Sequence, residues 1–483
     1  MKKNAFANFI QVLGVGFIVF FQYRILYDHL GIDTIGIWSI VIAISSASRL
    51  LEMGLTVGVT RFVSQSFAKK DFSLVSLIIE TCTITIVIIV SAFVVLVYPI
   101  FANLLQSILN VQDYEIGISL LSYTLCSLVI VITAGIPLGA LDGLMMMRSR
   151  AAIILFGQFI CLIITIVLLP SCGIYALVYA QIAQGCWLFF SSWFFIKRLL
   201  KPLSFFPLRF DINILKKIYS YTLKVQVANI AGILFDPITK FFLAKYGGTS
   251  SVGYFEIANQ LVYRARNIVV SVNQVTLPYF ARLKKSKKGN FNQIFYTNFR
   301  LVSLASTILM GVIIAFQPIY TFFITSKFDM NISLMIYACT LTWILSLIAV
   351  PAYFANFGEG SPKYNAIMML GMTLTNITLS FMLGSFFGLI GVMFSFFISQ
   401  FMGMIFLNFN FYRRHNLSIK KLGLISFSKS FTLLLFSFIA GLFLLSINAN
   451  LFYILIHSCI TLLLVFIIIL KTDDSKLVLN LIK

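Results

Sequence analysis

The sequence predicts an all-α polytopic membrane protein with about fourteen transmembrane helices. Three observations predict this class: 60% of the 483 residues are hydrophobic, only 11% are charged, and the mean hydropathy is +0.99. A soluble globular chain carries about 25% charged residues. So few charges could not cover so apolar an interior in water. The composition therefore excludes a disordered chain, a soluble two-domain enzyme and a disulfide-stapled secreted module.

Apolar runs define the elements, because about 20 consecutive apolar residues cross a hydrocarbon core about 30 Å thick. We expect runs at 6–27, 35–58, 75–98, 116–138, 151–170, 173–196, 218–243, 251–275, 299–320, 333–357, 364–384, 387–411, 424–447 and 451–470. The first run is too long for the apolar core of a signal peptide and is expected to be retained. The very short joins at 170–173, 385–386 and 448–450 predict tight helical hairpins.

The distribution of Lys and Arg predicts the orientation. Twenty-six of the 36 lie in loops and tails on one side, and only Lys245 and Lys327 lie in loops on the other. Cytoplasmic loops carry the excess of Lys and Arg, so both termini and the basic loop Lys284–Lys288 are expected to be cytoplasmic. The net charge of +21 thus reflects topology, and no nucleic-acid partner is expected.

The sequence offers no cofactor site. The seven Cys are scattered without a CxxC pair, and there are only three His, which disfavours zinc, haem and iron–sulfur centres. No GxxxxGK[ST] motif occurs, so ATP hydrolysis within the chain is not expected. We therefore expect neither a metal nor a cofactor.

An internal repeat relates the second span to the eighth at an offset of 217 residues. Gly31, Thr34, Gly36, Trp38, Ile40, Arg49 and Lys70 fall on Gly248, Ser251, Gly253, Phe255, Ile257, Arg266 and Lys287. Six spans separate the copies, so the two halves should have the same orientation, with a binding site between them. We expect a six-helix bundle at 1–200, a cytoplasmic linker at 201–217, a second six-helix bundle at 218–411, and two extra helices with a cytoplasmic tail at 412–483.

Eight basic residues fall inside the predicted spans, where an ionisable side chain costs at least about 2.5–3.5 kcal/mol near the bilayer centre. They are Arg24, Arg49, Lys224, Lys240, Arg264, Arg266, Arg300 and Lys429. Arg300 and Lys429 lie near cytoplasmic ends and can reach water, and Arg24 lies near an outer end. Arg49, Arg264 and Arg266 are deeper and should face a partner or a wet cavity.

Several polar neighbours accompany these charges. Glu52 lies three residues from Arg49, and Asp236 lies four residues before Lys240, spacings that place each pair on one helix face. These pairs are either structural or part of ion coupling through Glu52, Asp236 and Lys240. The amides Asn8, Gln11, Gln226, Asn229, Asn259 and Asn273 either contact a hydroxyl-rich ligand or join helices. Together these charges and amides predict a cavity with a net positive charge, and the ligand expected there is an anion that also carries polar groups.

Several short segments resemble the Wzx-type polysaccharide and O-antigen flippases of the MOP (multidrug/oligosaccharidyl-lipid/polysaccharide) exporter superfamily. They are RILYDHLG at 24–31, IGIWS at 35–39, LEMGL at 51–55, TRFV at 60–63, DPITK at 236–240, the glycines and aromatics of 247–258, and LP at 277–278. The match runs from the first span to about the twelfth. Each motif is weak alone, and their order and spacing carry the resemblance.

The resemblance implies a MATE-like V of two pseudo-symmetric six-helix bundles plus two C-terminal helices, in the bacterial cytoplasmic (inner) membrane. It implies a transporter, not an enzyme, that moves an undecaprenyl-diphosphate-linked oligosaccharide to the periplasmic leaflet by alternating access. Polysaccharide polymerase or assembly proteins are possible partners beside the lipid bilayer. Related flippases hold the diphosphate with cations in spans one, two and eight, which corresponds to Arg24, Arg49 and Arg266, with Arg264 as the competing choice in span eight.

Two other kinds of exporter remain as alternative functions. A lipid II flippase would also have a cationic cavity, whereas a multidrug exporter would be expected to place acids where cationic drugs bind. A polymerase or ligase is disfavoured because no outside loop is long enough to carry a catalytic site. The sequence does not identify the glycan, and it does not separate O-antigen, capsule and exopolysaccharide pathways.

Overall fold

The computed structural model is all-helical across the residues it describes, with no strand among them. Those residues are 2–52, 54–274, 291–418, 437–441, 443–444 and 451–471. The basic loop Lys284–Lys288 and the predicted join at 448–450 lie outside them, as does most of the thirteenth predicted span. Seven of the described helices are long and apolar enough to cross a membrane.

The chain forms two compact units, Met1–Gly253 and Tyr254–Lys483. The helices of the first unit are α1 (Lys2–Ser46), a 3₁₀ turn (Ala47–Glu52), α2 (Leu55–Ala68), α3 (Phe72–Gln106), α4 (Val111–Gly143), α5 (Met147–Cys172), α6 (Tyr175–Leu199) and the first part of α7 (Ile212–Gln274). The second unit holds the rest of α7, then α8 (Phe291–Thr325), α9 (Met330–Gly358), α10 (Lys363–Arg414) and α11 (Leu451–Lys471). The expected division into bundles and linker remains a prediction.

Glycines mark where one long helix contains two predicted spans. Gly31 breaks α1 with φ 75° and ψ 175°, and Gly248 breaks α7 with φ 77° and ψ 176°. A left-handed φ of this kind is readily adopted only by glycine. The two copies of the repeat therefore make the same turn at the same register, as the offset of 217 residues predicts.

The two repeat copies touch through a second pair of glycines, and this contact lies wholly within the first unit. A side-chain carbon added at Gly36 would lie 2.0 Å from the Thr249 carbonyl oxygen, and one added at Gly253 would lie 2.3 Å from the Ile32 carbonyl oxygen. Only glycine permits so close an approach of backbones. Asp33 also accepts hydrogen bonds from Thr249 Oγ1 at 3.3 Å and from the Ser250 hydroxyl.

Two local expectations need correction. The second predicted span, 35–58, is not one helix: α1 ends at Ser46, the 3₁₀ turn follows, and α2 begins after Gly54, whose φ is 67°. The left-handed glycine interrupts the α-helical hydrogen bonding that an apolar run alone would predict. The turn expected at 385–386 instead lies at Gly388, with φ 58°, because that residue can adopt the conformation at least cost.

A buried acid in α3 holds the segment that follows α6. The side chain of Glu80 is fully buried and accepts hydrogen bonds from the backbone N–H groups of Ser204 at 3.0 Å and Arg209 at 3.0 Å. The Arg209 guanidinium lies 2.6 Å from the same carboxylate, and this contact raises the pKa of Arg209. The 200–211 segment is therefore fixed against α3.

Candidate functional site

Arg266 lies in an uncharged polar and aromatic environment on α7. Its Nε and Nη2 atoms donate to Ser346 Oγ at 3.0 and 2.8 Å, and Nη1 donates to Asn267 Oδ1 at 3.3 Å. The guanidinium carbon lies 4.9 Å from the Trp343 ring centroid and 5.6 Å from that of Tyr263. Among the described side chains, no carboxylate lies within 4 Å of this guanidinium. The charge is thus oriented by neutral partners, and no acid among the described side chains neutralises it.

A hydrogen-bond chain connects this environment to a predicted polar residue. The indole N–H of Trp343 donates to Asn259 Oδ1 at 2.7 Å, and the Tyr263 and Trp343 rings are 5.2 Å apart between centroids. Asn259 and Trp343 are both buried. Asn259 therefore fixes the orientation of Trp343, whose ring in turn lies beside the Arg266 guanidinium.

The other candidates on the second part of α7 lie elsewhere on the helix. Arg264 is half-buried and two residues away, so it cannot share a helix face with Arg266. Asn273 is buried, and its Oδ1 accepts from Asn298 Nδ2 of α8 at 3.4 Å. That contact matches the expected alternative role of the amides in joining helices.

Arg49 lies in the 3₁₀ turn, between the end of α1 and the start of α2. The structure places its backbone and does not describe its side chain. Glu52, at the end of the same turn, is half-buried and accepts a hydrogen bond from Thr56 Oγ1. Discontinuous membrane helices commonly form substrate and ion sites, since their interrupted backbone needs a wet or protein-lined cavity. The break therefore distinguishes Arg49 from Arg266, which lies in continuous helix.

The remaining charged candidates form pairs within single helices. Arg24 Nε lies 3.0 Å from Asp28 Oδ2, and both side chains are partly exposed. Lys240 Nζ lies 2.9 Å from Asp236 Oδ2, with the Lys240 side chain only 6% exposed, so the predicted pairing of these two residues is confirmed. Whether either pair takes part in binding or coupling stays a prediction.

The remaining four amides lie on α1 and α7. Gln11 is half-buried on α1. Asn8 lies on α1, and Gln226 and Asn229 lie on α7, but their side chains are outside the described part of the structure.

Sequence reasoning missed the residues that surround Arg266. Ser346 and Trp343 belong to α9, some 80 residues along the chain, and no spacing rule links them to α7. One signal in the sequence pointed to Trp343, which is that it is one of only four tryptophans in the chain. Three further acids have partners that the sequence does not predict: Glu80 pairs with Arg209, Asp142 pairs with Arg150 at 3.3 Å, and Glu256 accepts from Gln260 at 2.9 Å.

Solved structures with a similar fold are transporters. A lipid II flippase, MurJ, in an inward closed conformation has a TM-score of 0.70 at 16% identity, covering 100% of both chains. An inward-facing MATE-family multidrug resistance transporter of the MOP superfamily has a TM-score of 0.69 at 14% identity, covering 85% of this chain and 99% of its own. A MOP superfamily transporter from Pyrococcus furiosus has a TM-score of 0.61 at 14% identity, covering 88% and 96%.

These similarities show the fold, an all-helical membrane-protein architecture that the chain shares with transporters of the MOP superfamily. The family model described as "Polysaccharide biosynthesis protein" matches residues 31–333. The chain belongs to this polysaccharide biosynthesis protein family, which confirms the resemblance found in the sequence. No curated protein matches the chain.

Proposed function

We propose that this protein translocates an undecaprenyl-diphosphate-linked oligosaccharide from the cytoplasmic to the periplasmic leaflet by alternating access. The family and the MOP-type fold support a transporter that serves polysaccharide biosynthesis. The observation that carries the substrate class is Arg266, a guanidinium within the eighth predicted span that is held by a hydroxyl, an amide and two rings.

An anionic headgroup is the ligand that suits such a side chain. Guanidinium binds phosphate oxygens through two parallel N–H donors, and these charge-assisted bonds are about twice as strong as neutral ones. A diphosphate that leaves water needs such partners, because an unpaired charge in a dry cavity is strongly disfavoured. Arg49, at the same repeat position within a helix break, is the proposed second cation, and Arg24 is the third.

The nearest competing substrates differ in ways that an experiment can separate. The similarity to a lipid II flippase concerns the fold, and lipid II would also bring a diphosphate. A multidrug exporter is less favoured because Arg266 meets no acid among the described side chains, whereas cationic drugs need one. The family match to polysaccharide biosynthesis favours the oligosaccharide over both alternatives.

Complementation tests the proposal directly. Arg49→Ala and Arg266→Ala should each abolish rescue of a strain that lacks an oligosaccharide flippase, while membrane levels of the protein stay normal. Arg300→Ala is the matched control, since Arg300 is exposed near the start of α8, and it should rescue fully. Rescue of a strain depleted of its lipid II flippase, without rescue of the first strain, would instead assign lipid II as the substrate.

A further inference from the structure

A cavity on the surface of the first unit is lined by none of the residues discussed for transport. Its volume is about 1240 Å³, and it is lined by the start of α5, the end of α6 and the segment after α6. Pockets for drug-sized ligands usually range over about 300–1,000 Å³, so this one is large enough for a lipid. Its walls are mainly aromatic, and Phe190, Phe205 and Phe206 are 60%, 74% and 64% exposed.

Three cations line the same cavity. Arg148 comes from α5, and Lys197 and Arg198 come from α6, while none of the sixteen lining residues is acidic. All three lie at the end of their helices that the charge distribution predicts to be cytoplasmic. Three like charges around one opening attract an anion.

The cavity wall is held in place by several hydrogen bonds. Trp187 Nε1 donates to the Ile153 carbonyl at 3.1 Å, which ties α6 to α5. Trp193 Nε1 donates to the Ser204 carbonyl at 3.2 Å, and Lys197 Nζ donates to the Leu203 carbonyl. Glu80 also accepts hydrogen bonds from backbone N–H groups of the same segment, so the aromatic residues that follow Ser204 project from a fixed backbone.

We propose that this cavity binds an anionic glycerophospholipid of the cytoplasmic leaflet, with its headgroup phosphate at Arg148, Lys197 and Arg198 and its acyl chains along the phenylalanines. Basic pockets between membrane helices on the cytoplasmic side bind anionic headgroups. The Arg198 guanidinium lies 4.4 Å from the Phe194 ring centroid, which places the charge at the junction of the polar and apolar walls. A phospholipid has the same order of groups, an anion joined to two hydrocarbon chains.

Tryptophan quenching by brominated lipid tests the proposal on the full chain in nanodiscs. Trp187 and Trp193 both line the cavity, and Trp187 is 37% exposed whereas Trp193 is buried, as are Trp38 and Trp343, which do not line it. Trp187 is therefore the exposed reporter. Brominated phosphatidylglycerol should quench wild-type fluorescence at a lower mole fraction than brominated phosphatidylcholine. Trp187→Phe should remove most of this preference, because the local reporter is lost.

Charge removal supplies the decisive comparison. Each of Arg148→Gln, Lys197→Gln and Arg198→Gln should weaken the preference for phosphatidylglycerol, by about fivefold per cation, and the triple variant should abolish it. The matched control, Lys69→Gln with Lys70→Gln and Lys216→Gln, removes three exposed cations of the same unit and should leave the preference intact.

Two results would overturn the proposal. One is an equal preference for phosphatidylglycerol in the wild type and in Arg148→Gln and Arg198→Gln variants whose melting temperatures match the wild type. The other is retention of an undecaprenyl diphosphate lipid with no binding of phosphatidylglycerol, which would assign the cavity to the transported lipid. Native mass spectrometry separates these cases by the mass of the bound lipid.

Discussion

At the scale of single residues, the environment of Arg266 separates it from Arg264. Arg266 is oriented by Ser346 and by the Trp343 ring, and Arg264 lies on another face of the same helix. The repeat also pairs Arg266, and not Arg264, with Arg49. Residue type and depth are the same for the two arginines, so only their surroundings distinguish them.

We expect Arg266→Ala to lower flipping by about 10- to 100-fold, the loss that corresponds to hydrogen bonds to a charged group. Arg266→Lys should recover part of the activity, because lysine keeps the charge but loses the two-pronged geometry. Arg264→Ala should stay close to wild type. The measurement is transport of lipid-linked oligosaccharide in proteoliposomes at matched protein content, and equal losses in both alanine variants would contradict the assignment.

At the scale of elements, the structure shows that the 200–211 segment is anchored. Glu80 receives three backbone N–H donors and the Arg209 side chain. Removing the carboxylate charge leaves those donors with a weaker acceptor inside a protein interior, where unsatisfied polar groups are costly.

Glu80→Gln should therefore lower the stability of the first unit by about 1.5–3 kcal/mol, the value of hydrogen bonds to a charged acceptor. It should also make the chain near Lys201 easier to cleave with trypsin. Thermal unfolding in detergent and limited proteolysis measure the two effects. Asp71→Asn is a suitable control, since Asp71 is an exposed helix cap that accepts from Leu74 N–H, and an equal effect in both variants would refute the special role of Glu80.

At the scale of the whole molecule, the distribution of charge predicts the topology. The 26 cations assigned to one side predict that this side is cytoplasmic. We expect both termini and the Lys284–Lys288 loop to be cytoplasmic. Cysteine labelling with a membrane-impermeant reagent measures this in whole cells, with Lys245→Cys and Lys327→Cys as positions expected to react from outside. Reaction of the basic loop from outside would overturn the orientation.

Alternating access is also a prediction about the whole molecule, and the contact of Asp33 with Thr249 and Ser250 offers a way to test it. A disulfide between Asp33→Cys and Ser250→Cys should join the outer ends of the second and eighth predicted spans and stop flipping, and a reductant should restore it. Each single-cysteine variant should remain active in both conditions. Normal flipping by the crosslinked protein would show that these ends do not separate during transport.

Much of the fold could be predicted because its signals are local. Apolar length predicted long apolar helices, and seven helices among the described residues could cross a membrane, while the count of about fourteen stays a prediction. Glycine placement predicted the matching turns at Gly31 and Gly248, and the four-residue spacing predicted the Asp236–Lys240 pair. The break between Ser46 and Leu55 was not predicted, since an apolar run continues through it and the left-handed Gly54 depends on what packs around it. The candidate site could be predicted only in part. The position of each cation within its predicted span selected the arginines, but the residues that contact them could not be found from the sequence.

The sequence by itself determined the class of protein, the repeat, the candidate cations and the expected orientation. These follow from composition, from the period of a helix and from charge counts, which involve neighbours along the chain. Only the tertiary structure decided that Arg266 meets Ser346 and Trp343, that Glu80 holds Arg209 across 129 residues, and that three cations line an aromatic cavity between α5 and α6. Each of these depends on how helices rotate and pack against one another, and in an apolar chain many rotations satisfy the same local pattern.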